Sequence, residues 1–255
     1  MKAIRIFDLP SLYLEQNSFP LPNENYSYSQ RMSDVFADNY GQSNNVGISL
    51  NELGYECLEL LPNLQSAQKQ WLKEHDFNVS LTENWKLEIL EIQIEYYKPE
   101  TLIFAGWSYG GEYIQHLKNR FSFLRKLILC FGESLPPMKF ISSFDHVITH
   151  DPKNVSLLKQ SNIKATHIYH AFNPSAELIQ KKVITNFLTF AGSIKHGDSE
   201  HTSRAKILEN LMTTFQDVKV YSSVIPPTLY GENIKGKLVS LFHNWLAFLE
   251  SIDSL

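Results

Sequence analysis

Gly106-Trp107-Ser108-Tyr109-Gly110 spells G-x-S-x-G. It stands between a short apolar run, Leu102–Ala105, and a helix-compatible stretch, Glu112–Lys118. A serine on a tight strand-to-helix turn can be lifted clear of the backbone, where its hydroxyl serves as a nucleophile. Such a serine needs a histidine to take its proton and an acid to orient the imidazole. Ser108, Asp151 and His170 follow one another in the order serine, acid, histidine, with His243 as a substitute for His170. Against acyl transfer, no glycine-rich oxyanion loop precedes the serine to offer paired backbone donors. Without nucleophilic chemistry the same glycine turn is a loop at the carboxyl end of a strand, where ligands tend to bind.

Three histidine pairs invite a metal reading: His146/His150, His167/His170 and His196/His201. On a strand, residues four apart share a face and residues three apart do not, so only His146 and His150 could converge. No cysteine or carboxylate cluster completes a site, and none is expected there. Tyr26, Tyr28, Tyr40 and Trp107 could stack on a sugar ring, but packing in a core is the preferred reading for most of them.

These residues hang on an alternating series of elements. Strands are predicted at 3–7, 55–60, 101–105, 127–131, 146–149 and 165–168, with helices at 64–75, 84–98, 112–118 and 155–160. Residues 11–29, rich in Asn, Ser, Pro and Tyr, read as irregular. From 28 to 53 the pattern is helical with a break near Gly41-Gln42-Ser43-Asn44, and Gly54 sits where a helix C-terminal glycine belongs. Strands alternating with helices argue for a parallel, doubly wound sheet. After Asn173-Pro174 come a short helix (175–181), a strand (186–191), a helix (203–215), a strand (218–221) and a terminal apolar helix (238–252). This new βαβ unit puts a domain boundary near residue 180, giving domains 1–180 and 181–255.

Hydrophobic residues at 43% and charged residues at 20% describe a globular chain of 255 residues able to build a core. A formal charge of −4 offers nothing to nucleic acid or an anionic membrane. Cys57 and Cys130 each lie in an apolar run, which favours a reducing compartment over a disulfide framework. No apolar window approaches the length of a membrane span, and Lys2, Arg5 and Asp8 interrupt the N-terminal stretch. The expected localisation is cytoplasmic.

Three blocks carry a family resemblance. The first, within 28–74, comprises Phe36, Tyr40–Ser43, Leu50, Leu53-Gly54-Tyr55-Glu56, Pro62-Asn63 and Gln70-Trp71. The second runs from Phe144-Asp145-His146-Val147-Ile148-Thr149-His150-Asp151-Pro152 through Leu157-Leu158 and Ile163-Lys164-Ala165 to Tyr169 and Ala171-Phe172-Asn173-Pro174. The third is Phe190-Ala191-Gly192-Ser193 with His201, Arg204, Ile207 and Leu208. In this order they resemble glycosyltransferases of the two-Rossmann-domain (GT-B) type, near the family-4 and CgeB-like groups. In the second block Asn162 stands where that family has glycine, and Asn173 where it has aspartate.

The resemblance implies an α/β fold: a Rossmann-like parallel sheet flanked by helices on the acceptor side, then the start of a second Rossmann-like unit on the donor side. It implies transfer of a sugar from a nucleotide-sugar, as substrate rather than cofactor, to an unknown acceptor. Gly192 and Ser193 would approach the donor phosphates, with Arg204 or Lys206 neutralising them. Gly106, Trp107, Ser108, Tyr109 and Gly132 would line the cleft, and so would the neighbouring Glu133 and Ser134. No catalytic residue is assigned on this reading. A complete protein of the family continues well past residue 222, so the chain is expected to be truncated, or completed by a second copy or a partner chain. Two alternatives stand beside it: an α/β-hydrolase using Ser108, Asp151 and His170, and a non-catalytic binding module derived from a glycosyltransferase.

Overall fold

The computed structural model describes residues 1–16, 25–39, 43–106, 108–132, 135–169, 188–191, 199–215 and 218–221. The chain divides into two compact units, Met1–Ile179 and Gln180–Leu255.

Unit 1 is built on six parallel strands: β1 (Lys2–Phe7), β2 (Glu56–Leu60), β3 (Thr101–Ala105), β4 (Lys126–Phe131), β5 (His146–Thr149) and β6 (Ala165–His167). Their spatial order is β2-β1-β3-β4-β5-β6. The chain therefore steps one way from β1 to β2, crosses back over β1, and then advances the other way to β6. This is a doubly wound, Rossmann-like α/β fold. β1 is central, and Ala3, Ile4, Arg5 and Ile6 in it are all buried, as a strand covered on both faces must be.

Right-handed crossovers put helices of opposite winding on opposite faces. Between β1 and β2 lie α1 (Ser11–Gln16), α2 (Tyr28–Ala37) and α3 (Asn45–Glu52). The later connections hold α4 (Gln65–Glu74), α5 (Trp85–Tyr97), α6 (Gly111–Arg120), α7 (Met138–Ile141) and α8 (Pro152–Gln160). The largest core joins Ile4, Ile6, Leu102, Phe104, Leu129 and Val147 of the sheet to Leu90 and Ile94 of α5, Ile114 and Leu117 of α6, Ile141 of α7 and Leu158 of α8. On α2 a capping box, formed by Ser27 and Gln30, fixes the start.

Two elements differ from the sequence expectation. Residues 11–16 form a helix rather than irregular chain; Leu14 N–H closes its first turn onto the Pro10 carbonyl, and Tyr13 is buried against Leu9 and Val35. Burial of one aromatic side chain overrides a composition that reads as loop. The four-residue α7 after Pro137 is too short to show a helical period.

β2 is an edge strand, and its open side is closed by a side chain. Asn51 of α3 accepts from Cys57 N–H (2.9 Å) and donates to the carbonyls of Cys57 (2.9 Å) and Gly47 (2.8 Å). The amide takes the place of a neighbouring strand at one position, blunting the edge against another chain. Beneath α3, Glu59 bonds Gly47 N–H (2.8 Å) and pairs with Arg5 (2.8 Å), and both charged side chains are almost fully buried. Asn44 gives α3 no side-chain cap, so Glu59 from the neighbouring strand supplies it. Burial outweighs the attraction of Arg5 and raises the Glu59 carboxyl above its usual range.

Unit 2 contains β7 (Leu188–Ala191), α9 (Ser199–Thr214) and β8 (Val218–Tyr221), with β7 and β8 parallel and adjacent. Leu208 and Val220 form its small core with Phe190, Ala205, Met212 and Val218 around them. The predicted helices at 175–181 and 238–252 lie outside the described residues. Among the described residues no helix is long and apolar enough to cross a membrane.

Candidate functional site

In a doubly wound sheet, ligands bind outside the carboxyl ends of the strands where the winding reverses. Here that place lies between the ends of β1 and β3. Each antiparallel crossover helix begins at this edge, so the first turns of α5 and α6 stand beside it. Asp8 follows β1, Lys86 lies in the first turn of α5, and Tyr109 follows β3.

These three meet. Lys86 Nζ donates to Asp8 Oδ2 at 2.8 Å, and the Tyr109 hydroxyl donates to Asp8 Oδ1 at 3.1 Å. The ammonium also lies 4.8 Å from the centre of the Tyr109 ring, within cation–π range. Tyr109 is buried and packs on Phe104, with ring centres 5.3 Å apart. Burial first, and then Asp8, push its phenol far above the ordinary value, so the hydroxyl keeps its proton and acts as a donor. The Asp8 side chain is 14% exposed and that of Lys86 30%, so the lysine is the member that meets solvent.

The loop carrying Asp8 is itself pinned. Asn63, after β2, accepts from Leu9 N–H (3.1 Å) and donates to the Leu9 carbonyl (2.6 Å). One amide side chain thus satisfies both polar groups of a loop residue next to the site.

The glycine turn is explained mostly by packing. Gly106 has φ +85°, a conformation that disfavours side chains, and its N–H extends the ladder to the Cys130 carbonyl at 2.8 Å. A Cβ on Gly111 would lie 2.8 Å from the Lys139 carbonyl oxygen and 3.0 Å from that of Phe140. The close approach of α7 requires a glycine at Gly111.

Ser108 is exposed and has no hydrogen-bond partner among the described residues. The described non-glycine residues with positive φ are Asn39, Ser43, Asp76, Lys98 and Asn162, so Ser108 lacks the strained left-handed backbone of an elbow serine. Asp151 is spent otherwise: it caps α8, accepting from Lys153 N–H at 2.9 Å. The structure shows no bond between Ser108 and Asp151; His170 and Trp107 lie outside the described residues, as do Glu133, Ser134, Gly192, Ser193 and His243. Gly132 is exposed just after β4. Tyr109, expected to line a cleft, is buried, with its hydroxyl on Asp8 and its ring beside the Lys86 ammonium.

Arg204 and Lys206 are both exposed on α9. Residues two apart on a helix do not face each other, so the two leave α9 on different sides. His146 bonds Thr166 (2.9 Å), and His150 approaches the Ile168 carbonyl (3.2 Å). Each is held by β6 or the residues after it. No group of three or more metal-binding side chains occurs among the described residues.

A cavity of about 400 Å³ lies between α2, α3 and β2, lined by Met32, Phe36, Ile48, Cys57 and Glu59 among others. Glu59 has both oxygens engaged there by Arg5 and Gly47.

Sequence reasoning missed Asp8 and Lys86. Asp8 counted only as a charge interrupting an apolar N-terminus, although an acid directly after a central strand was the available signal. Lys86 carried a signal too, because a cation in the first turn of a helix opposes the helix dipole. No protein-family model matches the chain, and no curated protein matches it. The resemblance to two-domain glycosyltransferases therefore rests on the residues quoted for it.

Proposed function

We propose that the protein is a glycosyltransferase-like enzyme that moves a sugar from a nucleotide-sugar to an acceptor hydroxyl, with the acceptor seated at the β1/β3 switch point. The observation that carries the reading is the Asp8–Lys86–Tyr109 cluster at the one place where a wound sheet concentrates ligand contacts. Each Asp8 oxygen takes one hydrogen bond from the protein and retains a lone pair, so the carboxylate can still accept from an acceptor hydroxyl. In the transfer the hydroxyl oxygen bonds to the anomeric carbon, the bond from that carbon to the diphosphate breaks with its electron pair leaving on the nucleoside diphosphate, and the hydroxyl proton passes to solvent. Positioning of the acceptor is the contribution proposed for unit 1. The parallel βαβ of unit 2 supports a donor role, because such units present a helix N-terminus to a diphosphate.

A thermal-shift panel of UDP-, GDP- and TDP-sugars on the full chain tests the reading. A bound donor at a hundred times its Kd adds about 2.7 kcal/mol of stability. Absence of a shift with every donor would count against the transferase and favour the non-catalytic binding module.

A further inference from the structure

We propose that Lys86 is the anchor for a phosphate group carried by the acceptor, so that the substrate of the switch-point site is a phosphorylated hydroxy compound. The inference rests on the transferase reading for the word acceptor, but the site itself is argued from geometry. Lys86 occupies the first turn of α5, where the helix dipole disfavours a cation. Departures from such local rules concentrate at functional sites.

The arrangement does more than tie elements together. The Tyr109–Asp8 bond already links the residue after β3 to the loop after β1 without any lysine. Lys86 adds an ammonium that is itself held in place by one bond to Asp8 and by the face of the Tyr109 ring. Only one of its three donor hydrogens has a partner among the described residues, and its side chain is 30% exposed. Rotamer freedom of the lysine is lost on folding rather than on binding, which favours capture of a ligand. A compact ammonium acts on phosphate as a point charge.

Inorganic phosphate is the probe, titrated into the full chain with acetate as the control for charge alone. Backbone amide shifts should move at Asp8, Lys86 and Tyr109 with phosphate, and only weakly with acetate. Lys86→Met should weaken phosphate binding about tenfold or more, while Lys86→Arg retains most of it. Mapping on the wild-type chain keeps the test decisive if Lys86→Met fails to fold. Equal binding by Lys86→Met and wild type, equal response to acetate and phosphate, or shifts confined to other residues would each overturn the proposal. A chain that binds nucleotide-sugars but not phosphate at Lys86 loses this inference alone. One that binds phosphate there but no nucleotide-sugar keeps the site and loses the transferase reading.

Discussion

Gly110 ends the motif that first suggested a nucleophile and Gly111 follows it, and the structure gives them different jobs. In Gly111→Ala the new Cβ would sit 2.8 Å and 3.0 Å from two backbone carbonyl oxygens of α7, and 3.3 Å from Ser143 Oγ. Backbone cannot swing aside as a side chain can, so α7 must move by a few tenths of an ångström. Overpacking of this kind costs about 1–3 kcal/mol, offset by about 0.4–1 kcal/mol of lost unfolded-state freedom. The net loss is up to about 2.6 kcal/mol and centres on about 1.3 kcal/mol, a fall in Tm of about 3–5 °C at that centre for a unit of this size. Gly110→Ala is the control: φ is −69° and the nearest atom to its Cβ is Phe140 Cε2 at 3.7 Å, an ordinary contact. Its stability should stay within about 0.5 kcal/mol of wild type. Thermal unfolding followed by circular dichroism reads both. A Gly111→Ala chain as stable as Gly110→Ala would refute the claim that the glycine tail serves helix packing.

Asn51→Ala removes two hydrogen bonds at the sheet edge and one to Gly47 of α3 and should cost about 1–2 kcal/mol, with faster aggregation on mild heating; an unchanged melting profile and aggregation rate would contradict the edge-closing role. Burial, and then Glu59, push the Cys57 thiol from 9.0 to about 11. The thiolate is the reactive form, so native Cys57 should alkylate about a hundredfold slower at pH 8 than a thiol of ordinary value, with the rate still climbing past pH 9. Because the unfolded thiol ionises first, stability should also fall as pH rises from 9 towards 11. A labelling rate that levels off near pH 9 would contradict that environment. Ser108→Ala should leave stability within about 0.5 kcal/mol, since Ser108 is exposed with no partner among the described residues; a larger loss in a melting curve would reveal a contact this account omits.

The fold was legible where periodicity and punctuation agree. Thr101–Ala105 and His146–Thr149 form strands at the expected residues, because short apolar runs are bounded by Gly106 on one side and Asp151-Pro152 on the other. Gly54 adopts φ +85° just past α3, as its place after a helical pattern requires. Long-range pairing was not legible. Asp8 and Lys86 are 78 residues apart, and only the crossing of β2 to β3 over β1 brings them together. The triad of Ser108, Asp151 and His170 satisfied chain order alone. Chain order says nothing of backbone strain, and the structure leaves Ser108 relaxed and commits Asp151 to a helix cap. Tyr109 was legible as a residue of the turn, but the packing of its ring on Phe104 was not.

The central claim is sugar transfer, and turnover by the intact chain tests it most directly. The full chain is incubated with UDP-, GDP- and TDP-sugars and a set of phosphorylated and unphosphorylated hydroxy acceptors, and the products are read by mass spectrometry. A nucleoside diphosphate should be released in step with a glycosylated acceptor, and a fluorophosphonate should leave Ser108 unlabelled. Intact donors throughout, together with Ser108 labelling that Ser108→Ala abolishes, would contradict the claim and return the glycine turn to the role of a nucleophile's support.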